Sequence, residues 1–302
     1  MNWDWDPTKG SSVPDAAYME KFFKRTQQLW DDYHPDQIYF DDSVLPFHGV
    51  TDEIGLNLAA HFYNSSIQLH GKNEAVMNNK MLNETQREAM TYDIERGKAD
   101  HVLPQPWQTD TCIGSWHYDQ AIFKNHRYKS AASVVRMLAD IVSKNGNLML
   151  SVPLQRDGQP DSDEIKIVSE IGAWLKVNGD AVYATRPWEI YGEGPSTVAN
   201  EKGQFDGQRD VQKKPFTAED IRFTQSKNSK KLYAIALAPA TGGTVTVKSL
   251  ASNSPNWPGK ISSVRMLGVW GKLKFSRDEN GLHVTLPQKL PSQIAFALKI
   301  QS

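Results

Sequence analysis

Residues 33–42 read YHPDQIYFDD, and this stretch carries the prediction of the fold. A polar helix end and Pro35 lead into a short aromatic and aliphatic run that stops at two carboxylates, Asp41 and Asp42. Apolar runs of this length between turn residues are typical of buried strands in a parallel sheet. In α/β barrels, the residues at the C-terminal end of a strand face the active site. We therefore expect Asp41 to have a chemical role.

Outward from this strand, the chain up to residue 188 alternates between helix-like and strand-like segments. Apolar spacing and end signals predict helices over 15–33, 51–69, 84–92, 130–143 and 163–176, strands over 37–41, 75–77 and 148–152, and loops over 103–118. This alternation predicts a parallel sheet wrapped by helices, an α/β barrel of the TIM type. Only about four or five strand–helix units can be counted, whereas a closed barrel has eight.

Beyond residue 188 the pattern changes to short alternating runs separated by turn residues. These runs cover 221–224, 231–237, 243–247, 264–267, 282–286 and 294–300. They predict a small antiparallel β-sandwich. We therefore expect a partial barrel-like catalytic domain over 1–190, a linker over 191–215 and a C-terminal sandwich over 216–302.

Composition narrows the class of function. The 34 basic and 35 acidic residues nearly balance, which argues against binding to nucleic acid or to an anionic membrane. No window is long and apolar enough for a membrane span, and residues 1–6 do not read as a signal peptide. The single cysteine, Cys112, rules out an internal disulfide. Because the histidines show no metal-ligand spacing and no phosphate-binding glycine loop occurs, we expect neither a metal nor a cofactor.

Paired carboxylates can divide the roles of nucleophile and acid/base, and retaining glycosidases are one class of enzyme that uses such a pair. A retaining glycosidase needs two carboxyl groups about 5–5.5 Å apart, one as nucleophile and one as acid and then base. Asp41 and Asp42 cannot form this pair, because adjacent side chains of a strand point to opposite faces. The second carboxyl group must come from elsewhere. A turn-capping role at the strand end is the alternative explanation for Asp41.

The stretch 33–42 resembles the nucleophile strand of the α-L-fucosidases of glycoside hydrolase family 29, with its pattern Tyr-x-Pro-Asp-x-x-aromatic-x-Asp. Residues 107–118 (WQTDTCIGSWHY) and 142–150 (VSKNGNLML) also resemble strings of this family. The resemblance covers about residues 1–195 and implies a retaining α-L-fucosidase in which Asp41 is the nucleophile. It also implies that the chain corresponds to the second half of the catalytic barrel and the C-terminal sandwich.

The resemblance leaves the acid/base carboxylate open among several glutamates. The family supplies this group from a variable loop after a later strand, where Glu84, Glu88 and Glu95 compete. Glu95 ranks first because it matches a recurring glutamate at a strand end, and Glu88 ranks second. For Glu84 and Glu88 the competing explanation is a solvated charge on a helix. For Glu95 it is an ion pair with Arg96.

Three further positions match sugar-contacting sites of the family. Tyr39 stands where relatives usually have a Trp that faces the sugar, and Lys80 stands where many have an Arg that contacts fucose. Trp116 matches an aromatic residue that packs against the fucose methyl group. Lysine can donate a hydrogen bond to a sugar hydroxyl but lacks the planar fork of arginine. The nine Trp and ten Tyr of the chain also suit sugar stacking, although core packing explains most of them.

The resemblance implies a fucosylated glycan as substrate and a barrel completed by a partner chain or by an N-terminal segment. The family grips fucose with histidines from the early barrel strands, and no histidine here corresponds to them. A truncated non-catalytic fragment or a carbohydrate-binding protein is therefore the alternative prediction, and a different retaining glycosidase is a third. Full-length relatives are often secreted, periplasmic or lysosomal, and the sequence leaves the compartment open.

Overall fold

The structure is a computed structural model, and it describes residues 3–6, 11–41, 44–47, 49–198, 203–204, 215–240 and 242–302. Asp42, the second carboxylate of the stretch 33–42, lies outside the described residues. The chain divides into two compact units. The first comprises Met1–Glu95 with Gln105–Gln108, and the second comprises Arg96–Pro104 with Thr109–Ser302.

The first unit contains a hairpin, two long helices and a parallel sheet. Its elements are β1 (Trp3–Asp6), β2 (Ser11–Pro14), α1 (Ala16–Tyr33), β3 (Gln37–Phe40), α2 (Glu53–His70), β4 (Val76–Lys80) and β5 (Thr91–Glu95). Strands β3, β4 and β5 lie side by side and parallel, with Tyr39 opposite Asn78 and Asn78 opposite Thr91. The strand order follows the chain order. The predicted strands over 37–41 and 75–77 and the predicted helices over 15–33 and 51–69 are confirmed within a few residues.

The sheet of the first unit has one apolar and one polar face, because side chains alternate along a strand. Ile38 and Met77 pack with Trp30 of α1 and Phe62 of α2 in one buried hydrophobic cluster. The other face carries polar side chains from all three strands, which are Gln37, Tyr39, Asn78, Lys80, Thr91 and Asp93. The helices therefore cover one face of the sheet, and polar side chains, of which Asn78, Lys80 and Asp93 are buried, line the other.

The predicted helix over 84–92 is wrong. The chain forms a single 3-10 turn at Gln86–Glu88 and then the strand β5. Reciprocal hydrogen bonds between Asn83 and Gln86, at 3.0 and 2.9 Å, cap the start of this turn. Pairing with β4 then satisfies the backbone of β5, so that tertiary contacts override the local helical pattern.

The second unit continues with short strands and helices. Its elements up to the sandwich are β6 (Gly97–Lys98), β7 (Trp107–Cys112), α3 (Gln120–Lys124), α4 (Ala131–Ser143), β8 (Gly146–Ser151), α5 (Ser162–Asn178), β9 (Thr185–Glu193), α6 (Pro195–Val198) and β10 (Gly203–Gln204). Strand β7, whose first two residues belong to the first unit, is hydrogen-bonded to β8. The predicted helices over 130–143 and 163–176 and the strand over 148–152 are confirmed within a few residues.

Strand β7 corrects the expectation of a continuous loop over 103–118. Every residue of Trp107–Cys112 is buried, although four of the six are polar. A buried strand is recognised in a sequence by its apolar run, and this strand has none. The polar side chains are accommodated by hydrogen bonds, such as that from Thr109 Oγ1 to the Gly97 carbonyl at 2.9 Å. The sequence signal for this strand was therefore absent.

The C-terminal part of the second unit is the predicted antiparallel sandwich. Its strands are β11 (Ile221–Ser226), β12 (Leu232–Ala236), β13 (Thr244–Val247), β14 (Ser263–Met266), β15 (Phe275–Asp278), β16 (Gly281–Thr285) and β17 (Phe296–Gln301). They form sheets of order β14-β17-β12-β11-β9 and β13-β16-β15 around one hydrophobic core. Strands β9 and β15 were not predicted. Strand β9 spans residue 190, the predicted end of the barrel-like domain. The domain limits at 190 and 215 stay a prediction.

A buried ion cluster joins helix α4 to strand β11. The Asp140 carboxylate accepts from Arg222 Nε at 2.7 Å and from Lys144 Nζ at 2.8 Å. Burial alone would raise the pKa of Asp140, but the two cations outweigh it and hold this pKa below its ordinary value. The carboxylate therefore stays charged and compensates two buried cations.

We predict that Asp140→Asn lowers the free energy of unfolding by about 3–5 kcal/mol, because it leaves Arg222 and Lys144 buried without a counter-charge. Urea denaturation at neutral pH measures this change. The stabilisation by Asp140 is fully present above the pKa that its carboxyl group has in the unfolded chain. It is lost as the pH falls through the lower pKa that this group has in the folded protein. The difference between the variant and the wild type must therefore shrink in acid.

The control variant is Glu219→Gln, which breaks an exposed ion pair of the same unit. Glu219 Oε2 and Lys248 Nζ are 3.3 Å apart, and both side chains are about two-thirds exposed, at 64% and 65%. Solvent screens such a pair, so the loss is expected to stay under about 1 kcal/mol. Equal losses in the two variants would contradict a special role for the buried cluster.

Candidate active site

The C-terminal ends of the three parallel strands of the first unit bring charged side chains together. Asp41 directly follows β3, Lys80 ends β4, and Glu95 ends β5. Phe40 lies opposite Asn79, so Asp41 and Lys80 follow at the same level of the sheet. Parallel strands place their carboxyl ends at one edge, which is the position of the active site in α/β barrels.

The Lys80 ammonium lies at the centre of this group. Its side chain is 8% exposed, and Nζ is 2.7 Å from Asp41 Oδ1 and 3.1 Å from Glu95 Oε2. The carboxylates themselves are accessible, with Asp41 81% and Glu95 49% exposed. One buried cation thus holds two carboxylates at a surface that a ligand can reach.

The separation of Asp41 and Glu95 follows from this shared contact. Because both bonded oxygens touch the same nitrogen, their distance cannot exceed the sum of the 2.7 and 3.1 Å contacts. This limit is compatible with the roughly 5–5.5 Å between the carboxyl groups of retaining glycosidases. The recorded ion-pair partner of Glu95 is Lys80, whereas the sequence suggested Arg96 as a rival explanation.

Asp41 is held in its charged form. The hydrogen bond from Lys80 lowers the pKa of Asp41 below its ordinary value, partial burial opposes this effect, and the charge of Lys80 and a bond from Tyr39 add to it. Tyr39 donates its hydroxyl hydrogen to Asp41 Oδ1 over 3.1 Å. The residue predicted as a nucleophile is therefore ionised at neutral pH, as a nucleophilic carboxylate must be.

Sequence reasoning missed a second layer of polar residues behind Asp41. Asp93, which is 1% exposed, accepts from Gln108 Nε2 at 2.9 Å and lies 3.4 Å from the Tyr39 hydroxyl. Gln37 bonds Asn78 at 2.7 Å on the same face. The alternation of Asp93 and Glu95 along β5 was the available signal, because residues two apart share a face of a strand.

The other two candidates lie apart from this group of contacts. Glu88 is the exposed last residue of the 3-10 turn, and no ion pair among the described residues joins it to Asp41. Trp116 belongs to the second unit, where it follows β7, is half-buried, and lies 5.9 Å from the Arg96 guanidinium carbon. The roles of all six candidate residues stay predictions.

Two general features of the described residues bear on function. No cluster of three or more His, Cys, Asp or Glu side chains in these ranges has a geometry that could hold a metal ion. Among the described helices, none has the length and apolarity to cross a membrane.

Two protein-family models match this chain. The model of the family "Alpha-L-fucosidase" matches residues 1–180, and the model "Alpha-L-fucosidase C-terminal domain" matches residues 212–301. The chain therefore belongs to the alpha-L-fucosidase family, which confirms the resemblance found in the sequence.

Curated relatives agree with this assignment at low identity. The plasma alpha-L-fucosidase of Homo sapiens is 27% identical over 213 residues, which cover 68% of this chain and 40% of that protein. The tissue alpha-L-fucosidase of Homo sapiens is 26% identical over 217 residues, which cover 69% and 40%. The chain thus matches about 40% of the length of these relatives.

Solved structures are similar in fold. A Thermotoga maritima alpha-fucosidase in complex with a mechanism-based inhibitor has a TM-score of 0.71 at 23% identity, covering 98% of this chain and 60% of that one. A GH29 alpha-L-fucosidase from Bacteroides thetaiotaomicron, a covalent intermediate trapped with 2-fluoro-fucosyl fluoride, has a TM-score of 0.63 at 16% identity, covering 95% of this chain and 61% of that one. At these identities the likeness concerns the fold, a barrel-type sheet followed by a sandwich.

We predict that Lys80→Met raises the pKa of Asp41, because it removes the largest cause of the lowered value. Protonation of Asp41 then begins at a higher pH than in the wild type. Carbon-13 NMR of aspartate-labelled protein measures the midpoint, with the signal assigned by its loss in Asp41→Asn. Lys80→Arg is the control and should retain most of the effect, since it keeps the positive charge. An unchanged midpoint in Lys80→Met would contradict the recorded contact.

Proposed function

We propose that the protein is a retaining α-L-fucosidase that hydrolyses terminal α-L-fucosyl residues of glycans or glycoconjugates. The observation that carries this proposal is the contact of Asp41 and Glu95 with one buried ammonium at the C-terminal edge of a parallel sheet. Membership of the alpha-L-fucosidase family supports it independently of the geometry. The two catalytic carboxyl groups are assigned to Asp41 as nucleophile and Glu95 as acid/base, with Glu88 as the second choice.

In the first step, the Asp41 carboxylate forms a bond to the anomeric carbon while the bond to the leaving oxygen breaks. Glu95 gives its proton to that oxygen, so the aglycone leaves neutral and the fucose becomes an ester of Asp41. The lowered pKa of Asp41 supports its role, because an ionised carboxylate is the nucleophilic form. For Glu95 the step requires the protonated form when substrate binds.

In the second step, Glu95 takes a proton from water, and the water oxygen attacks the anomeric carbon. The ester bond to Asp41 breaks, and the carboxylate leaves with its negative charge. Two displacements at the same carbon release fucose with its original configuration. The trapped covalent intermediate of the Bacteroides thetaiotaomicron enzyme is the kind of state that this proposal requires.

Three further residues, Lys80, Tyr39 and Trp116, are assigned to binding and positioning. Lys80 is too buried to offer more than part of its ammonium to a sugar, so its main role is to hold Asp41 and Glu95. Tyr39 adds a hydrogen bond to Asp41 and presents its ring beside it. Trp116 is assigned to the fucose methyl group, because a 6-deoxy sugar presents an apolar carbon there.

A complete fucosidase barrel needs further strands. We infer that another polypeptide segment, in the same or a partner chain, supplies them, since this chain matches about 40% of the length of its curated relatives. The polar face of the β3-β4-β5 sheet suits this arrangement, because barrel interiors at an active site are lined by polar groups.

We predict that Asp41→Gly lowers the turnover of 4-nitrophenyl α-L-fucoside at least about 10³-fold, since the covalent step loses its nucleophile. Asp32→Asn, at an exposed position of α1, is the control and should turn over like the wild type. Wild-type turnover by Asp41→Gly would remove Asp41 from the mechanism. Labelling with 2-fluoro-fucosyl fluoride followed by peptide mapping gives a second test, in which the label must fall on Asp41.

Rescue by azide distinguishes the nucleophile from the acid/base. In Asp41→Gly, azide attacks the substrate directly and should give the β-fucosyl azide with inverted configuration. In Glu95→Gly, azide attacks the fucosyl ester and should give the α-fucosyl azide, with activity regained over a loss of about 10²–10⁴-fold. Glu88→Gly is the matched comparison. A rescued α-azide in Glu88→Gly and none in Glu95→Gly would reverse the assignment of the acid/base.

A second candidate function is carbohydrate binding without hydrolysis. The observation that favours it is the exposure of the Asp41 and Glu95 carboxylates, at 81% and 49%, because they can accept hydrogen bonds from sugar hydroxyls without a covalent step. Fucose titrated into the folded protein, followed by NMR, separates the two functions. Binding without release of 4-nitrophenol under any condition tested would support the second one.

A further inference from the structure

The Tyr39 hydroxyl stands between two carboxylates of the first unit. It is 3.1 Å from Asp41 Oδ1 and 3.4 Å from Asp93 Oδ2. Asp41 is exposed, whereas Asp93 is buried and lies directly opposite Lys80 in the strand register. The phenol therefore links the exposed carboxylate to a buried one behind it.

A phenol carries one hydrogen, and an ionised carboxylate can only accept. Tyr39 can therefore satisfy Asp41 or Asp93 with a hydrogen bond, but it cannot donate fully to both at once. The shorter distance to Asp41 favours that acceptor in the ligand-free state. Gln108 Nε2 donates a hydrogen bond of 2.9 Å to Oδ1 of Asp93. This bond stabilises Asp93 while the Tyr39 hydroxyl donates to Asp41.

We propose that the Tyr39 hydroxyl rotates its single hydrogen between Asp41 and Asp93 during the reaction cycle, and that Asp93 is a positioning residue that competes for this hydrogen. The arrangement depends on tyrosine at this position, since a residue without a hydroxyl could not make either bond. Asp93 touches neither the substrate nor the reacting atoms in this scheme. It acts through Tyr39.

The consequence for catalysis rests on the proposed fucosidase function. When Asp41 becomes a fucosyl ester, it loses its negative charge, and Asp93 becomes the stronger acceptor. The hydroxyl hydrogen then turns to Asp93, with no proton transferred and the phenol neutral throughout. When the ester breaks, charge returns to Asp41 and the hydrogen turns back, which stabilises the departing carboxylate.

The charged and titratable groups around Asp41 come from all three strands that border it. Strand β3 contributes Tyr39, β4 contributes Lys80, and β5 contributes Asp93 and Glu95. Replacing Asp93 acts on the titration of Asp41 in two ways, through the local electrostatics and through the competition for the hydroxyl hydrogen. A test must separate these two effects.

A double-mutant cycle read by carbon-13 NMR separates them. The titration midpoint of the Asp41 carboxyl is measured in the wild type, Tyr39→Phe, Asp93→Asn and the double variant. We expect Tyr39→Phe to raise the midpoint and Asp93→Asn to lower it. In the Tyr39→Phe background the effect of Asp93→Asn should fall to less than half, because only the charge effect remains. Equal effects in both backgrounds would overturn the proposal.

Gln108→Leu should shift the titration midpoint of Asp41 in the direction opposite to Asp93→Asn. It keeps the test valid if Asp93→Asn fails to fold. Without the amide donor, Asp93 becomes a stronger acceptor for Tyr39, and the midpoint of Asp41 should rise. This rise should vanish in Tyr39→Phe. An unchanged titration midpoint of Asp41 in Gln108→Leu would count against the proposal. The control is Asp32→Asn, which should leave the midpoint unchanged.

A kinetic measurement tests the catalytic consequence separately. Reactivation of the 2-fluoro-fucosyl enzyme in Tyr39→Phe should be slower by about tenfold to a hundredfold, the loss of one hydrogen bond to a developing charge. Asp93→Asn should reactivate faster than the wild type, since the hydroxyl stays on Asp41. Unchanged reactivation in both variants would overturn the catalytic part. The NMR cycle needs no turnover, so failure of the fucosidase proposal and failure of the shared hydrogen are read from different measurements.

Discussion

The site depends on the burial of one ammonium group. Lys80 carries its charge into a nearly inaccessible position, which costs several kcal/mol unless counter-charges are close. Asp41 and Glu95 supply them, and each is fixed relative to the other by the nitrogen that they share. The same contact keeps Asp41 ionised. A lysine can hold two carboxylates in this way, since an ammonium donates in three directions.

The parallel sheet of the first unit makes this arrangement possible. Its apolar face packs against α1 and α2, and this packing fixes the register in which Asp41, Lys80 and Glu95 meet at one edge. On the opposite face, hydrogen bonds among Gln37, Tyr39, Asn78, Asp93 and Gln108 satisfy side chains that an apolar interior would not tolerate. One face of the sheet therefore stabilises the unit by packing against the helices, and the other face carries the residues of the proposed active site.

The prediction from sequence failed where the local pattern and the tertiary contacts disagree. Residues 84–92 have a helical spacing, yet Thr91–Glu95 pairs with β4, because a partner strand satisfies the backbone at a lower cost than an isolated turn. Residues Gln108–Thr111 have no apolar run, yet they form a buried strand, because side-chain hydrogen bonds replace hydrophobic contacts. The first failure falls at β5, which carries Asp93 and Glu95, and local sequence rules are expected to fail at functional sites.

The sequence by itself determined the elements with strong local signals and the family. The caps at Asp15, Ser130 and Asp161 begin helices close to their predicted positions, and the strand that ends at Asp41 is where the stretch 33–42 predicts it. Only the tertiary structure decided that Lys80 bridges two carboxylates and that Asp93 lies behind Tyr39. These contacts join segments 15 to 54 residues apart, and their distances depend on strand register, which no local pattern specifies.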